Sequence, residues 1–275
     1  MLEAAGKDIA ANHDRLSAGD KIRLLWSVLC ENGILWTSYL SLFYLSSGIA
    51  NASFDKLQRQ KLERNLPGLS GLNINRGIWE SWDWTAGGDE WTLSREWKES
   101  LIKNVLCRYI PPGGHVLEIG PGAGRWTGIL IDRAEQFTAV DVAESCIRIC
   151  REKFGAKPGT TFLVGNGNDL HGVADRSVDS LWSFDVFVHI NIAEAARYVR
   201  DFKRVMRPGS VSVVHHGKSG GLEGGWRSNL TSVAFREMLK DAGFTVSAIF
   251  ETWNDAGKDY PVGLYHDEIT VFTLL

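Results

Sequence analysis

Between His115 and Asp141 a buried-strand pattern runs straight into a turn with almost no side chains, and few folds accommodate that order. His115 to Gly120 reads as a buried strand, and Gly120-Pro121-Gly122-Ala123-Gly124 follows as a glycine-rich loop. An amphipathic run opens on Arg125-Trp126-Thr127, and a second strand, Phe137-Thr138-Ala139-Val140, ends on Asp141. Strand, glycine turn, helix, strand and acid together predict a nucleotide-binding βαβ unit. A ligand can lie on the main chain at a strand tip only where no Cβ intervenes and a positive φ costs nothing. The acid at the next strand's tip can accept hydrogen bonds from both hydroxyls of a ribose, so Asp141 argues for an adenosine-type ligand.

The residues between the glycines separate two cofactor classes. A dinucleotide fingerprint requires a third small residue in G-x-G-x-x-G/A. Counted from Gly120 that position is Arg125, and from Gly122 it is Thr127; neither fits. The pattern is instead Glu118-x-Gly120-x-Gly122-x-Gly124. A carboxylate there repels a pyrophosphate but suits a ligand that carries an ammonium and a sulfonium.

Here the chain resembles the class I S-adenosylmethionine-dependent methyltransferases. Glu118-x-Gly120-x-Gly122-x-Gly124 is similar to their first motif, Asp141 to their ribose-binding acid, and Arg207-Pro208-Gly209 to the turn before their fifth strand. The resemblance covers roughly Ser94 to the C-terminus. It implies an α/β fold, a doubly wound, mostly parallel sheet of seven strands (Rossmann-like), preceded by an N-terminal helical appendage. The expected division is an appendage over 1–75, an aromatic lead-in over 76–93 and an S-adenosylmethionine-binding domain over 94–275. The resemblance also implies cofactor contacts at Trp91, Glu118, Gly120, Gly122, Gly124, Asp141, Val142 and Phe184. Adenine contacts fall on Asn166 and Gly167, Asn166 standing where many relatives have aspartate.

Composition places limits on the rest. With 275 residues, 44% hydrophobic and 23% charged, the chain can bury a sizeable core. A net charge of −3 without a basic run makes nucleic acid an unexpected partner. The four cysteines, without C-x-x-C spacing, suggest a reducing, cytoplasmic setting, and Cys146 and Cys150 read as small core residues. No metal-ligand spacing is present, and the first residues lack a signal-peptide layout. Ile22, Leu25, Trp26 and Leu29 recur at helical spacing after a cap near Asp20, up to Gly33. The uncharged stretch Gly33 to Ala50 is short of the about 20 apolar residues that a span needs, so a buried or self-associating helix is expected, offering a route to a homo-oligomer, with contact at a membrane interface the lesser alternative. Ser53 is the expected cap of a helix to Asn65 whose Lys56, Arg59, Lys61 and Arg64 form a solvated face. After the linker Pro67 to Gly71 come Trp79, Trp82, Trp84, Trp91 and Trp97. These are expected to pack the appendage on the domain, with Trp91 the candidate for the ligand cleft and Gly87-Gly88 a hinge.

The carboxyl ends of the first and fourth strands flank the topological switch where ligands bind, which directs attention to the segment after Val178 to Ser183. Methyl transfer from a sulfonium needs alignment above all, because the leaving group is neutral. An alcohol acceptor also has to lose a proton, and histidine suits that role. The candidates are His189, His215 and His216, with Asp185 to orient an imidazole or bind the acceptor. His215 and His216 point to opposite faces if the fifth strand, Val211 to Val214, continues through them. The glycine-rich loop Gly217 to Gly225 leads to Trp226 and Arg227, candidate substrate-binding residues, Arg227 for an anionic group. The last two strands, Phe244 to Glu251 and Glu268 to Leu275, are expected on either side of a long polar segment. No N/D-P-P-Y/F motif follows the fourth strand, and the tryptophans can stack on the faces of a sugar. A small hydroxylated acceptor, a sugar or glycosylated metabolite, is the first reading, and a small amine the second. A nicotinamide-dependent oxidoreductase and a catalytically idle cofactor-binding scaffold remain as readings of other classes.

Overall fold

The strand at the centre, β1 (His115–Ile119), is buried along its whole length, as a strand covered on both faces must be. In the computed structural model, which describes residues 17–45, 50–64, 66–221 and 227–275, it is followed by β2 (Gln136–Asp141), β3 (Thr160–Val164), β4 (Val178–Phe187) and β5 (Met206–Gly217). β6 (Phe244–Phe250), β7 (Thr252–Asp255), β8 (Lys258–Pro261) and β9 (Asp267–Leu274) complete the strands. One seven-stranded sheet runs β3-β2-β1-β4-β5-β9-β6. Its pairs are parallel except that β9 lies antiparallel between β5 and β6. The order reverses direction between β1 and β4, so their carboxyl ends flank the switch point. The expected polar segment before the last strand holds a further hairpin, β7 with β8.

The helices follow from apolar periodicity and local caps. α1 (Ala18–Leu45) is broken at Gly33, whose φ of 79° and ψ of 166° leave the helical region. Its cap is Ser17, whose Oγ accepts from the Asp20 N–H at 3.2 Å, three residues before the expected position. α2 (Ala50–Glu63) has begun before Ser53, which is buried inside it and caps nothing. α3 (Leu72–Ser81), α4 (Arg95–Leu101), α5 (Thr127–Ile131), α6 (Glu144–Phe154), α7 (Ile192–Val205) and α8 (Ser232–Asp241) follow. Ser94 caps α4 by accepting from the Trp97 N–H at 3.1 Å.

Two buried clusters fill the two faces of the sheet. Trp97, Leu101, Trp126 and Phe137 belong to one; Phe187, Phe202, Phe235 and Phe272 belong to the other. Cys146 and Cys150 are fully buried, and burial pushes their thiols up. A third, smaller cluster of Val28, Trp36, Leu40, Leu57 and Ile74 holds the appendage together. Lys61 departs from the expected solvated face: it is 3% exposed, and burial lowers its pKa to about 8. No helix of the described residues is long and apolar enough to cross a membrane.

Candidate active site

At the end of β1 the chain turns through Gly120 and Gly122, both at positive φ (69° and 55°). A Cβ on Gly120 would stand 2.3 Å from the Val186 side chain, and one on Gly122 would stand 2.9 Å from the Trp84 ring. The Gly122 N–H donates to Asp141 Oδ2 at 3.2 Å, and the Ala143 N–H donates to Oδ1 at 2.9 Å. Asp141 is thereby aimed across the tips of β1 and β2. Burial raises its pKa to about 6 against these backbone donors.

Glu118, expected at the ligand, lies one layer below. It is 1% exposed and does not reach the cavity wall. Its Oε2 accepts from the Thr127 hydroxyl at 2.6 Å, while the buried Oε1 has no partner. Burial pushes its pKa up to about 8. Gly124 likewise serves packing: a Cβ there would come within 2.5 Å of Phe154, so its small size admits α6 rather than a ligand.

One cavity occupies the switch point. Gly120, Gly122, Asp141, Val142, Gly167 and Phe184 line it, as does Trp91. Asn166 does not. Its Oδ1 accepts from the N–H groups of Asn168 and Asp169 and its amide donates to Asp169, which closes an exposed turn. Trp79, Trp84 and Trp97, expected to serve only packing, also line the cavity. The Trp79 ring centroid lies 5.9 Å from those of Trp84 and Trp91. Their clustering was a sequence signal for this wall, but which rings face inward depends on how α3 docks.

Asp185, on the wall, sits at φ 61°, in the irregularity of β4 between Ser183 and Phe187. Arg125 Nη1 donates to its Oδ2 at 2.6 Å, and its Oδ1 lies 3.0 Å from His215 Nδ1. Despite burial, these partners hold the Asp185 carboxyl well below the usual carboxylate range. On the far side of the ring, His215 Nε2 is 3.4 Å from Asp267 Oδ2, and Asp267 Oδ1 accepts from Arg227 Nη2. Burial opposes a charge on His215, but the adjacent carboxylates of Asp185 and Asp267 outweigh it and raise the pKa to about 9. The ring also accepts from the Asp185 N–H at Nδ1, 3.0 Å away. It is fully buried behind the wall, stacked on Phe184 with centroids 4.4 Å apart.

His216 points to the other face, as strand alternation requires. Its ring packs on Phe235, its Nε2 meets Thr270 Oγ1 at 2.8 Å, and burial lowers its pKa to about 4. It is remote from the cavity and is removed from the candidate bases. His189 borders the cavity, its ring 5.3 Å from that of Trp79. Arg227 also borders it, whereas Trp226 lies outside the described residues. Arg125, Asp267 and Tyr265 join the site without having been singled out. Arg125 directly follows the glycine loop, which was a local signal; Tyr265 and Asp267 arrive only through the pairing of β9 with β5.

Known proteins share part of this sequence and its fold. A family described as "Methyltransferase domain" matches residues 117–214. This chain carries a class I S-adenosylmethionine-dependent methyltransferase domain. Among curated relatives, a ribosomal RNA small subunit methyltransferase A of Fusobacterium nucleatum is 32% identical over 24% of this chain and 25% of its own length. A "Putative O-methyltransferase" of Mycobacterium avium is 30% identical over 43% of this chain and 55% of its own. The chain thus spans about half the length of the latter and a quarter of the former. A SAM-dependent methyltransferase from Leishmania major shares the fold at TM-score 0.57 and 11% identity, over 74% of this chain and 82% of that one. S-adenosylmethionine is the cofactor of this domain, and the methyltransferase site fits it. Asp141 is a buried carboxylate on the cavity wall, and Gly122 and Gly167 keep the cradle free of Cβ atoms.

Proposed function

We propose that this protein transfers a methyl group from S-adenosylmethionine to an oxygen of a small hydroxylated acceptor, a sugar or glycosylated metabolite, with His189 as general base. The observation that carries the reading is a cavity in which an acid-tipped, glycine-floored end meets a wall bordered by His189. The similarity to relatives named O-methyltransferases over half their length supports the choice of oxygen.

The cofactor supplies an activated methyl on a sulfonium, so the chain's own work is to orient and to move a proton. Asp141 and the Gly120–Gly122 turn would hold the adenosine part, and Gly167 and Val142 flank it. Asp185 and Asp267 border the cavity, but their carboxyls are held low, against burial, by His215 and the arginines, which makes them weak bases. His215 is fully buried and faces two carboxylates rather than the cavity. That leaves His189 to take the hydroxyl proton as the oxygen attacks. The tryptophan wall excludes water and offers flat apolar faces to the acceptor.

The test is release of S-adenosylhomocysteine across a panel of sugars, phenols and amines. His189→Gln should lower turnover of hydroxyl acceptors by about 10²–10⁴-fold, the usual contribution of a general base, with unchanged calorimetric affinity for S-adenosylhomocysteine. Turnover confined to amines, or untouched by the substitution, would overturn the assignment of the base.

A further inference from the structure

Arg227 is the cavity-lining residue whose surroundings are least explained by cofactor binding. Its side chain is 7% exposed, it lies over the Tyr265 ring at 4.5 Å, and Nη2 donates to Asp267. A guanidinium has five N–H donors, and among the described residues one acceptor, Asp267, is recorded for them. Its backbone is pinned from the appendage: the buried Lys61 Nζ donates to the Arg227 carbonyl.

The wider cluster is a buried chain of charges, Arg125 to Asp185 to His215 to Asp267 to Arg227, with Lys61 behind the last. Three cationic side chains, Lys61, Arg125 and Arg227, meet two carboxylates, Asp185 and Asp267, with the His215 ring between them. Glu268 does not redress the balance, because it lies on the other face beside His216 at 3.5 Å. Glu118 and Asp141 belong to the glycine-loop half of the site. Buried charge without a counterion is costly, and in a low dielectric it attracts an anion far more strongly than it would in water.

We propose that the methyl acceptor carries an anionic group, a carboxylate or phosphate, seated against Arg227, with its apolar body on the Trp79, Trp84 and Tyr265 side chains. This deepens the methyltransferase reading above and rests on it for the word acceptor, but not for the site. Arg227 is then a specificity-determining residue, and Lys61 lets the appendage set its position.

The experiment uses the full chain loaded with S-adenosylhomocysteine and two matched pairs of probes, glucuronate against glucose and salicylate against salicyl alcohol, by calorimetry. S-adenosylhomocysteine is titrated first, so that a failure of the methyltransferase reading is seen separately, and the pairs are then compared with and without it. The acid of at least one pair should bind about tenfold or more tighter than its neutral partner, the scale of one desolvated charge-assisted hydrogen bond. Arg227→Gln should erase the difference and Arg227→Lys should retain part of it. Acids that bind no better than their neutral partners to the unaltered protein, a comparison that needs no variant, overturn the proposal. So does an acid preference that survives Arg227→Gln in a folded protein.

Discussion

Glu118 and His215 share a property that links the site to the stability of the whole chain: both favour their protonated forms in the fold. Glu118 is raised by burial from 4.5 to about 8, and His215, against burial, by its two carboxylates from 6.5 to about 9. A raised pKa means that folding takes up a proton, so the stabilisation is complete below the unfolded pKa and is lost as pH climbs through the folded one. Both windows overlap between pH 6.5 and 8. The lowered pKa of His216 acts below that range and that of Lys61 above it. The cofactor-free protein should therefore lose on the order of 5 °C in Tm from pH 6.5 to pH 8, with Glu118→Gln flattening the slope. A scan series showing Tm constant or rising over that interval would refute the assignment. Replacing Thr127 by valine removes the one hydroxyl that Glu118 receives and should cost about 1–3 kcal/mol in chemical denaturation.

At the scale of elements, the glycine loop serves two neighbours that only the fold distinguishes. Gly122 makes room at the cavity, where a Cβ would meet the Trp84 ring at 2.9 Å; Gly124 makes room for Phe154 of α6. Gly122→Ala should therefore act chiefly on cofactor affinity. Gly124→Ala, at φ 91° and against a packed ring, should cost about 1–3 kcal/mol of stability, and comparing calorimetric affinity with denaturation midpoints for the two variants separates the roles. Equal losses of affinity and stability in both would show that the loop acts as one unit. The run of glycines and the acid at Asp141 were legible in sequence because backbone conformation and strand ends leave local marks. The difference between Gly122 and Gly124 was not, since it lies in what docks from 30 residues downstream. Lys61 was misread for a related reason: its neighbours on α2 are charged, and only Arg227, far along the chain, explains a lysine turned inward.

For the molecule as a whole, the cavity is assembled from parts that have no sequence continuity, among them the strand ends, α3 with the tryptophan turns after it, Arg227, and the segment from Val262 to Asp267. α3 is itself held by the site, since Asn75 donates to the His189 carbonyl at 2.8 Å and Glu80 accepts from the Ser145 N–H at the start of α6. It also packs on the appendage through Ile74. A ligand that fills the cavity thus bridges appendage and sheet, and should stabilise elements it barely touches. At a hundredfold excess over Kd such linkage is worth about 2.7 kcal/mol. Hydrogen exchange should accordingly slow on addition of S-adenosylhomocysteine not only in the glycine loop but across Leu72–Ser81 and the turns at Trp84–Ala86 and Asp89–Trp91. Protection confined to residues 120–124 would mean that the tryptophan cover stands apart from the bound state. In that case the aromatic wall belongs to packing alone, as the spacing of its tryptophans first suggests.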